Sequence, residues 1–98
     1  MIADKILTHA ETQPDKLAMS WRGERVTYAE IRNLVNVLSV ELSTKSNRYF
    51  IESDSPITAI VQLLACQLTE NIGLIVSKEM PISERKKLIE SYQFCVFA

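Results

Sequence analysis

The sequence predicts an α/β fold: an amino-terminal helix and β-hairpin, then a βαβαβ unit with a parallel sheet. Three observations carry this. Apolar residues recur at helical spacing over Ile31, Leu34, Val35, Leu38 and Leu42. An Arg22-Gly23 pair divides two strand-like runs. From Tyr49 onward short apolar runs alternate with helical patterns, the mark of right-handed crossovers between parallel strands.

Ile2, Ile6, Leu7 and Ala10 fall on one face of a first helix, which should end before Pro14 because the residue preceding a proline avoids helical geometry. In Lys16 to Trp21, Leu17, Met19 and Trp21 alternate with Lys16, Ala18 and Ser20, as in a half-buried strand. Arg22-Gly23 is a two-residue turn, with Gly23 supplying positive φ, and Glu24 to Val26 is the returning strand. Thr27-Tyr28-Ala29-Glu30 fits a capping box, opening the long helix that should fade over Ser43 to Asn47.

Tyr49, Phe50 and Ile51 make a buried strand. Ser55 then stands as an N-cap before Pro56, whose missing N–H costs nothing in a first helical turn. Ile57, Ile60, Val61, Leu64, Ala65 and Leu68 mark the next helix, and Ile72 to Val76 the next strand, with Gly73 inside it. A shorter helix opens at Pro81 or Ser83, with Leu88 and Ile89 inward, and Phe94 to Phe97 is the last strand. These strands lack polar alternation, as expected when both faces are covered.

Composition excludes several functions. The chain has 98 residues and two glycines, where average usage would give roughly seven. Gly23 and Gly73 are too far apart to form a glycine-rich phosphate loop. A net charge of −1 gives no electrostatic reason to expect nucleic acid. No apolar run is long enough to span a bilayer, and Asp4, Glu11 and Asp15 interrupt any secretory signal. Cys66 and Cys95 lack CxxC spacing and are expected to be reduced core residues of a cytoplasmic protein.

Each tempting fragment has a plainer explanation. Ser83-Glu84-Arg85-Lys86 has the S-x-x-K spacing of serine acyl enzymes, but no S-D-N or K-T-G accompanies it, and Ser83 is better explained as a residue near a helix start. Arg85-Lys86-Lys87 is the basic cluster; with Glu84 and Glu90 beside it, a solvated helix face is expected. Glu52 and Asp54 lie at a strand's carboxyl end, where open α/β sheets place ligands, yet no perturbing partner or further ligand is visible in the sequence. His9 is the single histidine, which leaves no metal pair and no Ser/His/Asp set. Trp21 and Tyr28 are expected to pack. The expected site is therefore empty: catalytic residues none, cofactor-binding residues none, metal ligands none.

One stretch is more specific. Pro14-Asp15-Lys16-Leu17-Ala18, a hairpin, and then Thr27-Tyr28-Ala29-Glu30-Ile31 resemble the opening of the adenylate-forming (AMP-binding) enzymes: acyl-CoA ligases, peptide-synthetase adenylation domains and luciferases. Asp54-Ser55-Pro56, the helix to Leu68, and the elements to Ala98 resemble the continuation more loosely. Where the family often has K-A-G-A, this chain has Thr69-Glu70-Asn71-Ile72-Gly73; where it often has G-D-x-V, this chain has Lys45-Ser46-Asn47-Arg48-Tyr49.

The resemblance implies that residues 1–98 form one partial domain, the amino-terminal part of a larger doubly wound domain. The complete enzyme would activate a carboxylic acid with ATP and Mg²⁺ as an acyl-adenylate and pass the acyl group to a thiol such as coenzyme A. The family's phosphate loop, ribose-binding acid and catalytic lysine all lie downstream, so no cofactor is expected in this segment, and the fragment alone should be inactive. The partner would be the remainder of the same polypeptide. A different class of function is a free-standing, non-catalytic interaction module derived from this fold. An uncovered Phe94–Phe97 edge would favour a homodimer of the isolated piece.

Overall fold

A computed structural model describes residues 2–42, 47–77 and 79–97. The expected fading of the long helix falls mostly on residues 43–46, outside the described residues, as do the Ile2 side chain and Ala98. Helix α1 (Ile2–Thr12) precedes the hairpin β1 (Leu17–Trp21) and β2 (Glu24–Thr27). Helix α2 (Tyr28–Glu41) leads to β3 (Arg48–Ile51), α3 (Pro56–Leu68), β4 (Ile72–Ile75), α4 (Ile82–Tyr92) and β5 (Phe94–Val96).

The hairpin forms as its turn chemistry requires. Arg22 and Gly23 both have positive φ, 48° and 83°, the combination that matches the twist of a two-residue hairpin. Trp21 then pairs with Glu24 and Met19 with Val26 in antiparallel register. A register shift between Leu17 and Met19 breaks the expected alternation. Leu17 is therefore exposed, and Ala18 joins Met19 and Trp21 against the core.

Helix α2 begins at the expected box. The Glu30 N–H donates to Thr27 Oγ1 at 3.2 Å, and the Thr27 N–H donates to Glu30 Oε1 at 3.0 Å. The loop before β1 supplies the other acceptors: the Tyr28 N–H reaches the Lys16 carbonyl and the Ala29 N–H the Pro14 carbonyl, both at 3.0 Å. Ile31 and Val35 are buried against Ala3, Ile57, Val61, Leu64 and Ala65, so α1, α2 and α3 share one core. Burying each such aliphatic side chain contributes about 1.5–3 kcal/mol. Leu34, expected on the same stripe, is 46% exposed. It sits about 60° round the helix from Ile31, on a flank with little packed against it.

Strands β3, β4 and β5 form a parallel sheet in the order β4-β3-β5. The chain steps from β3 to one neighbour through α3, then returns past β3 to the other through α4. Right-handed crossovers in opposite directions place the two helices on opposite faces, which is the doubly wound arrangement. Side chains agree. A Cβ added to Gly73 would meet Leu63 and Cys66 of α3, whereas Phe50, one register position along, lies under Arg85 of α4. Tyr49, Phe50 and Ile51 are all buried, as a central strand requires.

Gly73 has no positive φ; its role is close packing, because a Cβ there would lie 2.8 Å from Ile51 Cδ1. The left-handed residue that ends α3 is Glu70, with φ 60°. Asn71, buried, steadies that turn: its Nδ2 donates to Thr69 Oγ1 at 2.8 Å, and its Oδ1 accepts from the Asn47 N–H at 3.1 Å.

Candidate functional site

In an open α/β sheet the place for a ligand is the carboxyl end of the strands where connections diverge. Here that place lies between β3 and β5. The residues that follow β3 are Glu52, Ser53, Asp54 and Ser55. Ser55 caps α3, its Oγ accepting from the Thr58 N–H at 3.3 Å, with Pro56 in the first turn. Ser53 Oγ accepts from the Ser55 N–H at 3.2 Å, so the loop is held by its own hydroxyls.

Glu52 is engaged. Arg85 Nε donates to Glu52 Oε2 at 2.7 Å, and Arg85 Nη2 donates to Glu52 Oε1, a two-pronged pair between α4 and the end of β3. The Arg85 guanidinium also lies 5.7 Å from the centre of the Phe50 ring. The hydrogen bonds to Glu52, helped by its negative charge, push the Arg85 pKa further up, against an opposing effect of burial. The expectation that Arg85 belongs to a solvated face is therefore corrected: only Lys86 and Lys87 of that cluster are exposed. Glu52 has the charged partner that the sequence did not reveal, because the two residues stand 33 positions apart. The arrangement braces α4 on the sheet. Its carboxylate is already neutralised, so it is a poor general base.

The other singled-out residues do not converge. Ser83 and Lys86 are both exposed in the opening turns of α4. An open hollow of about 290 Å³ lies along α4 beside Glu84, Lys87, Leu88, Ser91 and Tyr92, far too open to exclude water from a reaction. His9 is exposed and stacks on Tyr28, with ring centres 5.1 Å apart. Trp21 carries Arg22 over its ring at 4.7 Å. Among the described residues no group of three His, Cys, Asp or Glu is placed to hold a metal ion, and no helix is long and apolar enough to cross a membrane. Cys66 is buried, and burial pushes its thiol pKa up to about 11. Cys95, expected in the core, is exposed, since β5 is an edge strand.

No protein-family model and no curated protein matches the sequence. Solved structures do match. IdnL1 shares 25% identity and superposes with TM-score 0.82 over 94% of this chain and 20% of its own. Coronafacic acid ligase from Pectobacterium brasiliense shares 18%, with TM-score 0.88 over 95% of this chain and 19% of the ligase. The nonribosomal peptide synthetase FmoA3, in its α-methyl-L-serine-AMP bound form, shares 17%, with TM-score 0.85 over 98% of this chain and 11% of the synthetase. These are adenylation-domain proteins, and this chain has the fold of an amino-terminal segment of them. It spans about a fifth of IdnL1.

Proposed function

We propose that this chain is the amino-terminal segment of an ATP-dependent, AMP-forming acid–thiol ligase of the acyl-CoA type, acting in the cytoplasm. The observation that carries the reading is the superposition on solved adenylation proteins over nearly the whole chain, 94% on IdnL1 and 95% on coronafacic acid ligase. The Pro14–Ala18 and Thr27–Ile31 motifs support it independently of the strands.

In this reading the segment contributes architecture. It supplies one end of a doubly wound sheet, with α3 and α4 fixed on its two faces and the Glu52–Arg85 pair locking the carboxyl end of β3. ATP, Mg²⁺ and coenzyme A would supply the activating and accepting chemistry in the complete enzyme. The donor set here is not built for them: there is no glycine-rich loop in the sequence and no convergent metal-binding group among the described residues. The catalytic side chains belong to the remainder of the polypeptide.

Acid-dependent exchange of pyrophosphate into ATP by the complete polypeptide tests the proposal. Exchange with at least one carboxylic acid is expected, with none from the 98-residue chain alone. Absence of exchange across a broad acid panel overturns the ligase reading. It would leave the interaction module as the alternative, especially if the coding sequence stops at Ala98.

A further inference from the structure

Helix α4 is held differently from α3. The longer helix sinks Ile57, Val61, Leu64, Ala65 and Cys66 into the interior. α4 buries no residue fully, and Leu88 and Ile89 are only half-buried. Its start after Pro81 has no side-chain cap. At 11 residues it is too short to be stable in water by itself.

Polar contacts with β3 tie it down at both ends. Arg48, Phe50 and Glu52 alternate along β3 and its continuation, so they share one face of the sheet. Arg48 Nη1 donates to the Tyr92 carbonyl, at 3.1 Å, where α4 ends. A cation there satisfies a terminal carbonyl and suits the negative pole of the helix. Toward the start of α4, Glu52 accepts both prongs of Arg85, whose guanidinium also lies over the Phe50 ring. The spans agree. Arg48 to Glu52 covers about 13 Å of extended chain, and Arg85 to Tyr92 covers about 10 Å of helix. Because the helix runs back along the strand, the start of β3 meets the end of α4 and the end of β3 meets its start. The Arg85 and Glu52 side chains keep 35% and 27% of their surface exposed, so dissolved ions can reach the pair.

We propose that α4 is a latched helix: the two arginine contacts with β3 hold it on the sheet, and it lifts as a unit when salt screens them. Lifting uncovers Phe50, otherwise buried near the carboxyl end of β3. The inference concerns the side of α4 that faces β3. It depends neither on what covers the other side nor on the ligase reading.

Amide exchange of the 98-residue chain tests this, read separately over residues 82–92 and 56–68 and scaled to the unstructured rate. Raising NaCl from about 0.01 M to about 1 M shortens the screening length from about 30 Å to about 3 Å. Protection over 82–92 should fall roughly two- to five-fold, the scale of a solvent-accessible ion pair, with 56–68 unchanged. Glu52→Gln keeps the side-chain shape and removes the charge. It should lower protection over 82–92 at low salt and abolish most of the salt response there. Arg48→Met should lower protection over 82–92 as well. Retained protection over 56–68 shows that each variant is folded. Equal protection and equal salt response in the two helices, no salt response over 82–92, or a response that survives Glu52→Gln combined with Arg48→Met would overturn the proposal.

Discussion

Gly73→Ala tests the packing of the parallel sheet directly. The added methyl carbon would stand 2.8 Å from Ile51 Cδ1, 3.3 Å from Leu63 Cδ1 and 3.5 Å from Cys66 Cβ. Carbon atoms prefer about 3.5–4.0 Å, so the Ile51 methyl must retreat by most of an ångström. It has little space to do so, because Ile51 is fully buried beneath α3. Overpacking of this kind costs about 1–3 kcal/mol. The reduced freedom of the unfolded chain returns about 0.4–1 kcal/mol, leaving a net loss of about 1–2 kcal/mol. For a chain of this length that is roughly 4–16 °C in Tm.

The assay is urea-induced unfolding of the single variants and the double variant. Ile51→Val removes the crowded methyl and by itself costs about 0.5–1.5 kcal/mol. In the Gly73→Ala background most of that loss should be offset, giving a coupling of at least about 0.5 kcal/mol. If Gly73→Ala is neutral or stabilising, or if the two changes add within about 0.3 kcal/mol, the close approach is not what selects glycine.

Four further outcomes are expected. Glu70→Gly should raise the urea midpoint by about 0.5–1 kcal/mol in stability, because φ 60° strains any residue with a Cβ. Ellman's reagent should titrate Cys95 in the native chain and reach Cys66 only on unfolding. The folded state holds the Cys66 thiol neutral up to about 11 against an ordinary 9.0, so this stabilisation is present below pH 9 and is lost as pH rises toward 11; Cys66→Ala should flatten that slope. Arg85→Ala should speed amide exchange across α4 while leaving α3 unchanged, because α4 has no fully buried residue to hold it in place.

Local chemistry was legible in the sequence. The capping box, the hairpin turn and the Ser55-Pro56 helix start each need only neighbouring residues, and each formed as expected. Strand order was not legible: alternation of elements predicts parallel pairing but does not say that β3 is central. Hence Phe94–Phe97 stood out as the exposed edge while the more apolar edge of β4 was missed, and Cys95 was expected inside. Glu70 gave no sign, since a non-glycine in left-handed geometry is set by what surrounds it. Glu52 and Arg85 meet only because the α4 crossover returns past β3; a carboxylate at the end of β3 and an arginine two helices later, in α4, were the separate halves of that signal. Leu34 obeys the helical period yet lies at the margin of its stripe, where period alone does not determine what packs against it.

The clasp around the start of α2 has an electrostatic consequence. A helix ordinarily offers its first free amides, and the positive end of its dipole, to an anion. In α2 the amides of Tyr28, Ala29 and Glu30 are committed to Lys16, Pro14 and Thr27, and the Glu30 carboxylate folds back over the same turn. The positive pole is discharged internally. The two motifs that mark this chain, one on each side of the hairpin, thus form a single plug. An anion such as a phosphate would find no free amide at this helix start.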